Sequence, residues 1–383
     1  MRTDNGTQES RSLPSLWPSR AVLRLLAFLN FLCCSQTRQA CSADVPFAGS
    51  RVVLDALNCY PYGRRWTDRI DRALSAGTPL AIEQDLAWHI DPQTGAGWSV
   101  LSHRKNTGGF ERTLKYYFFE RVRPIVEQAL LNPDRRDWPL ITLNLDFKSE
   151  EPEHLKAVWR LLREYADWIT SAARLPDIRT ISSLDVKPIL VLTGESQAQE
   201  EVFYHQVPEG DRLLVFGATP FNPRDPSAPP EVLAPGPMNN YRRWWNNPWR
   251  VIEPEGQNGA GEWSAQGEAR LNELVGYAHE HGFWIRFYAL NGAPATVERH
   301  NGWSHAYNFG LMQSALTRWR AAIRAGVDFL SIDQYEDLAR ELGRNVAIHP
   351  DRASSGSRML KRRTALRQTE AGHAARNGSL EDH

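Results

Sequence analysis

Two carboxylates, Glu83 and Asp85, stand two residues apart in the run IEQDLAW. In a strand such residues point to the same side, so the pair presents two negative charges close together. That proximity is costly unless a proton or a cation compensates it. Oxygen donors of this kind suit Mg²⁺ or Ca²⁺. A second run, NLDFK, sets Asn144, Asp146 and Lys148 on one parity. Asp146 is placed to complete an oxygen site, and Lys148 to steady a phosphoryl oxygen or another developing anion without binding the metal. His103, closing WSVLSH, supplies an imidazole whose proton exchanges near neutral pH. Arg286 and Tyr288 share one face of FWIRFYAL, where they can reach a phosphate and a neighbouring hydroxyl, and Asp333 closes VDFLSID, where it can order a cation or a substrate hydroxyl. Each of these groups also has a plainer reading as an ion pair or hydrogen-bonded residue at a strand end.

They acquire joint meaning only if one fold gathers several strand ends. Eight short apolar runs alternate with helical patterns: 51–57, 79–85, 98–103, 140–147, 187–193, 212–217, 283–290 and 327–333. Gly77, Gly282 and Gly326 sit where the preceding helix should stop. This pattern predicts an α/β chain folded as one TIM (β/α)8 barrel over 50–345, in preference to a doubly wound open sheet, and a barrel brings the C-terminal ends of its strands to one opening. The Pro- and Asn-rich segment 218–262 reads as a long connection, and its aromatics Tyr241, Trp244, Trp245 and Trp249 as a lid, a substrate wall or a lipid-contact patch, with packing against the barrel as the alternative.

Composition excludes some classes. The 383 residues carry 45 basic and 45 acidic side chains, so no basic footprint calls for a nucleic-acid partner. Four cysteines, three of them within the first 41 residues, cannot build a disulfide scaffold. Residues 21–34, AVLRLLAFLNFLCC, follow Arg11 and Arg20 and precede the small-residue segment Cys41-Ser42-Ala43. The expectation for 1–43 is a signal peptide, with an N-terminal membrane anchor as the alternative, and hence an exported, periplasmic or extracellular protein. The polar stretch 346–383 reads as a flexible tail.

Taken in order, LNCYP, IEQDLAW, VLSH, LITLNLDFK and SIDQYEDL resemble the phospholipase-C-like and glycerophosphodiester phosphodiesterase barrels, in particular a poorly characterised bacterial branch, over roughly 50–345. The resemblance implies a phosphodiesterase-type TIM barrel that uses a divalent cation and acid–base histidines on a glycerophosphodiester, a phospholipid headgroup or a related ester, with peripheral membrane contact open. Residue by residue it implies Asn58, Glu83, Asp85 and Asp146 as metal ligands, His103 as one catalytic histidine and Lys148 beside the phosphoryl group. It places a second histidine just before Asn58, where this chain has Leu57. Leucine cannot transfer a proton, so the departure points to impaired or altered turnover, with His89 as a candidate replacement. Three functions follow: a phosphoric diester hydrolase, a catalytically silent binder of phosphate esters or lipid headgroups, and, more remotely, a glycosidase. Metal-dependent release of a phosphomonoester separates the first from the others.

Overall fold

The computed structural model describes residues 52–63, 65–221 and 225–346; the expected leader over 1–43 and the tail from 347 onward lie outside them. Eight strands run parallel: β1 (Val53–Ala56), β2 (Leu80–Ile90), β3 (Ile141–Phe147), β4 (Ile189–Thr193), β5 (Phe216–Ala218), β6 (Arg242–Pro248), β7 (Trp284–Tyr288) and β8 (Phe329–Ile332). Each pairs with the next, and β8 pairs with β1, with Leu54 opposite Leu330 on one side and Leu80 on the other, so the sheet closes. The fold is a (β/α)8 barrel. The strands are rich in Val, Ile and Leu because both faces are covered, the inner by the barrel's own side chains and the outer by helices.

The helices follow in turn: α1 (Arg69–Ser75), α2 (Glu120–Leu130), α3 (Pro152–Glu164), the short α4 (Gln197–Glu200) and α5 (Pro230–Leu233), α6 (Ala265–Glu280), α7 (Ala295–Asn301), α8 (Met312–Ala325) and α9 (Tyr335–Glu341). Helix α6 begins where Ser264 accepts a hydrogen bond from the Gly267 N–H, and Gly77, Gly282 and Gly326 do end helices, each in the left-handed region that only glycine enters without strain. A small antiparallel sheet of Ser171–Ala173, Leu184–Asp185 and Arg212–Leu213 stands apart from the barrel. Among the described residues no helix is long and apolar enough to cross a membrane.

Two sequence expectations are corrected. The run 98–103 is not a barrel strand: Gly97–Leu101 pairs antiparallel with the far end of β2, Leu86–Ile90. β2 is 11 residues long and overshoots the rim, then reverses through a turn in which Asp91 accepts the N–H groups of Gln93 and Thr94 and Gly95 adopts φ 71°. The DPQTG sequence carried that turn signal. The missing barrel strand is β6, RRWWNNP, inside the segment expected to form a lid. Tyr241, Trp244, Trp245 and Trp249 are buried in the barrel wall, and the Trp244 indole N–H donates to the Thr193 carbonyl at 2.9 Å. Consecutive arginines and asparagines hide this strand from a search for alternating hydrophobicity.

A histidine ties α6 to the sheet. His279 Nε2 lies 2.9 Å from the buried carboxylate of Asp328, which also accepts the Ile285 N–H. The Asp328 hydrogen bond raises the imidazole pKa above its ordinary value, against the opposing effect of burial. A raised folded-state pKa stabilises below the unfolded value and loses that contribution as pH climbs through the folded one. Urea denaturation should therefore find His279→Gln destabilising at about pH 5.5 and close to neutral at about pH 9, where the parent imidazole has lost its charge. Equal destabilisation at both would show that the charge is irrelevant.

Candidate active site

The upper layer of the barrel interior is polar, and Arg286 is at its centre. Its guanidinium is buried on β7 and donates to four oxygens on four other strands: Asp55 on β1, Glu83 on β2 at 2.5 Å, Asn246 on β6 at 2.9 Å and Ser331 on β8 at 2.7 Å. A guanidinium has five N–H bonds. These four bonds leave one Nη1 hydrogen over. Burial lowers the Arg286 pKa, and Asp55 and Glu83 more than reverse that, so the group is held charged.

Above this floor the strand register sets the acids. Glu83 lies opposite Asn144, and Asp85 opposite Asp146, on the paired strands β2 and β3. One oxygen each from Glu83, Asp85 and Asp146 lies within 4.8 Å of the others. Asp85 is almost fully buried and its two oxygens have separate surroundings. Oδ2 is 2.7 Å from the Tyr60 hydroxyl, 2.6 Å from His103 Nδ1 and 3.1 Å from Lys148 Nζ. Oδ1 is buried without a hydrogen-bond partner. Lys148 also donates to Asp146 at 2.7 Å. Burial alone would lower its pKa, but Asp85 and Asp146 hold it above the usual lysine range. Burial pushes the Glu83 carboxyl up to about 8 despite Arg286, with Asp85, Asp146 and Asp55 adding to the rise, and burial raises Asp146 as well. With Asp55, four carboxyl groups thus share two cations, and a divalent cation fits the deficit and the orphaned Asp85 oxygen.

The remaining expected residues fall around this cluster. Asn58 follows β1 at φ 52°, with its N–H 3.3 Å from Glu83 Oε1, its side-chain carbonyl oxygen 3.0 Å from the Tyr60 hydroxyl and its amide donating to Asp333 at 3.1 Å. Asp333 is buried and divides its oxygens between Asn58 and Asn291, so it orders the mouth. His103 reaches Asp85 from the chain that follows the hairpin, with its side chain 52% exposed and Nδ1 committed, which leaves Nε2 to exchange a proton. Tyr288 is half-buried, its ring 5.3 Å from the Arg286 guanidinium carbon. Leu57 is buried, and its carbonyl accepts from the Tyr335 hydroxyl at 2.7 Å. His89 is not brought to the site. It lies four residues beyond Asp85 in the hairpin, roughly 13 Å along the strand, and its Nδ1 engages Thr107 at 2.8 Å. Glu336 pairs with Arg72 and Asp337 with Arg340, on the outer helices.

Asp55, Tyr60, Asn246, Asn291 and Ser331 were not expected. Asp55 shows a signal in hindsight, as a charge inside the apolar run RVVLDAL, whereas Asn246 and Ser331 become visible only through their contact with Arg286. Backbone strain marks the same place. The non-glycine residues described with positive φ are Asn58, Trp66 and Ala289, which follow β1 and β7 at the C-terminal mouth. Such conformations persist where surrounding contacts over-determine them.

The fold and mouth define a (β/α)8 barrel with an acidic cluster at its strand ends. No protein-family model and no curated protein sequence matches the chain. Among solved structures it is similar to a glycerophosphodiester phosphodiesterase from Parabacteroides distasonis, with TM-score 0.37 and 11% identity over 78% of this chain and 98% of the other. It is also similar to HPPK-DHPS from Plasmodium falciparum (TM-score 0.40, 10% identity, 77% of this chain and 48% of that one) and to 7,8-dihydropteroate synthase from Vibrio fischeri (0.32, 13%, 77% and 92%). Similarity this distant bears on neither substrate nor mechanism, which must be read from the mouth itself.

Removing Arg286 should be severe. Arg286→Met leaves Asp55 as an uncompensated buried charge and takes from Glu83 the guanidinium that opposes its protonation, at a cost of about 3–5 kcal/mol in urea denaturation. Asp146→Ala, at a half-exposed rim position, should keep the fold and weaken Mg²⁺ or Ca²⁺ binding in calorimetry by about tenfold or more. Undiminished binding by folded Asp146→Ala would remove that residue from the site.

Proposed function

We propose that this barrel is a metal-dependent phosphoric diester hydrolase acting on a glycerophosphodiester, a phospholipid headgroup or a related ester. The observation that carries the reading is the orphaned Asp85 oxygen within the Glu83, Asp85 and Asp146 cluster, next to Lys148 and His103. In this reading those three carboxylates, with the Asn58 side-chain carbonyl, would hold the ion. Bound there, Mg²⁺ or Ca²⁺ would supply charge neutralisation at the phosphoryl oxygens and a lower pKa for an attacking oxygen.

The chain's own groups perform the rest. Asp85 Oδ2 orients His103 through Nδ1, so that Nε2 exchanges a proton with the attacking or departing oxygen. Lys148 faces the charge that develops on the phosphoryl group, held ammonium by Asp85 and Asp146. Arg286 acts as a positioning residue that fixes Glu83. Leu57, at the position where the resemblance implies the second histidine, favours a second reading in which the mouth binds phosphate esters without turning them over.

A panel of phosphodiesters with saturating Mg²⁺ or Ca²⁺ should yield phosphomonoester, a chelator should abolish the release, and His103→Ala should lower the single-turnover rate by about 10²- to 10⁴-fold. Leu57→His, if folded, should raise that rate by about tenfold or more only while His103 is present. Metal-dependent ester binding with no release by the parent would favour the binding reading; no binding of metal or ester would overturn both.

A further inference from the structure

The rim of the mouth is not uniform. Ile90 ends β2, Phe110 and Tyr116 lie in the connection from β2 to α2, and Val297 and Leu311 in the connection from β7 to α8; Phe110 is 73% exposed and Leu311 64%. Exposed cations follow the same sector: Arg65 after β1, Arg104, Lys105 and Arg112 after β2, and Arg299 on α7. The connections that follow β3, β4 and β6 carry the exposed acids Glu151, Glu195, Glu255 and Glu262, with Arg250 the one exposed cation described there.

The connections that carry these residues adjoin one another. The Trp66 ring lies where a Cβ on Gly302 would have to go, Arg69 donates to the Asn301 carbonyl at 2.9 Å, and the Tyr62 and His103 rings are 6.4 Å apart, so the β7, β1 and β2 connections touch in turn. The acids of this sector are few. Asp91 and Glu111 accept backbone N–H groups of their own turns, and Asp68 stands at the start of α1.

Isolated exposed apolar residues are ordinary on any surface. Here they coincide with cations on one side of the mouth in a chain whose formal net charge is zero, so the local field and not the whole-molecule charge would select a partner. Apolar tips that enter the headgroup region, flanked by Lys and Arg, match the chemistry of an anionic lipid surface. We propose that the β7–β1–β2 sector docks this protein on an anionic bilayer, with the mouth facing the headgroups. The proposal is independent of whether the mouth hydrolyses a diester, because docking is read without turnover.

Hydrogen–deuterium exchange of the full chain should be compared alone, with phosphatidylcholine vesicles, and with vesicles containing phosphatidylglycerol as well. Protection is expected over residues 88–112 and 295–311 with the anionic vesicles only, and not over 249–264. Co-sedimentation with the same vesicles should fall by about tenfold or more in Phe110→Asp and in Arg104→Glu/Lys105→Glu; the apolar segment 21–34 is common to all three proteins and cannot produce the difference. Unchanged exchange in 88–112 and 295–311 overturns the proposal, including the case in which the parent binds vesicles through another segment. The exchange measurement needs no variant, so misfolding of a variant does not rescue or sink it.

Discussion

A guanidinium buried between two carboxylates sets the terms for the upper half of this barrel. Arg286 reaches β1, β2, β6 and β8 from β7, so five of the eight strands share one polar hub. Burying such charges is unfavourable unless every partner is in place. The barrel interior therefore cannot be filled with aliphatic side chains at this level, and the inward positions one step below are taken by the buried Val53, Ala81, Trp244, Trp284 and Phe329. The hub holds Glu83 at the base of the mouth and keeps it from turning away.

The cluster above is left short of positive charge. Lys148 is shared by Asp85 and Asp146, and Arg286 by Asp55 and Glu83, so each cation answers to two carboxylates. Asp85 resolves this by dividing its labour: one oxygen gathers Tyr60, His103 and Lys148, and the other faces no donor. A group that orients a histidine with one oxygen and offers the other to a cation joins proton transfer to metal binding through a single side chain.

The overshoot of β2 links this chemistry to the surface. Because the strand continues beyond the rim and turns back, His103 returns to Asp85 from outside the barrel instead of from a wall strand. The same excursion carries Ile90, Arg104, Lys105 and Phe110 into solvent. Site and rim are thus built by one extension, and a change in its length would move both.

The sequence by itself determined the alternation of strands and helices, the helix-ending glycines, and the pairs Glu83/Asp85 and Asp146/Lys148, because these depend on local propensity and on the two-residue period of a strand. It did not reveal which eight segments close the barrel. Residues 98–103 read as a wall strand and 242–248 as part of a lid, since a β hairpin and a barrel strand share the same local pattern, and since Arg, Arg, Asn and Asn mask a strand whose burial is decided by its neighbours. It likewise placed Arg286 on an inward face without showing that Asp55, Glu83, Asn246 and Ser331 would converge on it. Those contacts join residues as far as 231 positions apart, and only closure of the sheet brings them together. Register decided the rest: with Asp85 opposite Asp146, two acids distant in the chain become neighbours, and His89, on the same strand and of the same parity, is carried past the rim and away from them.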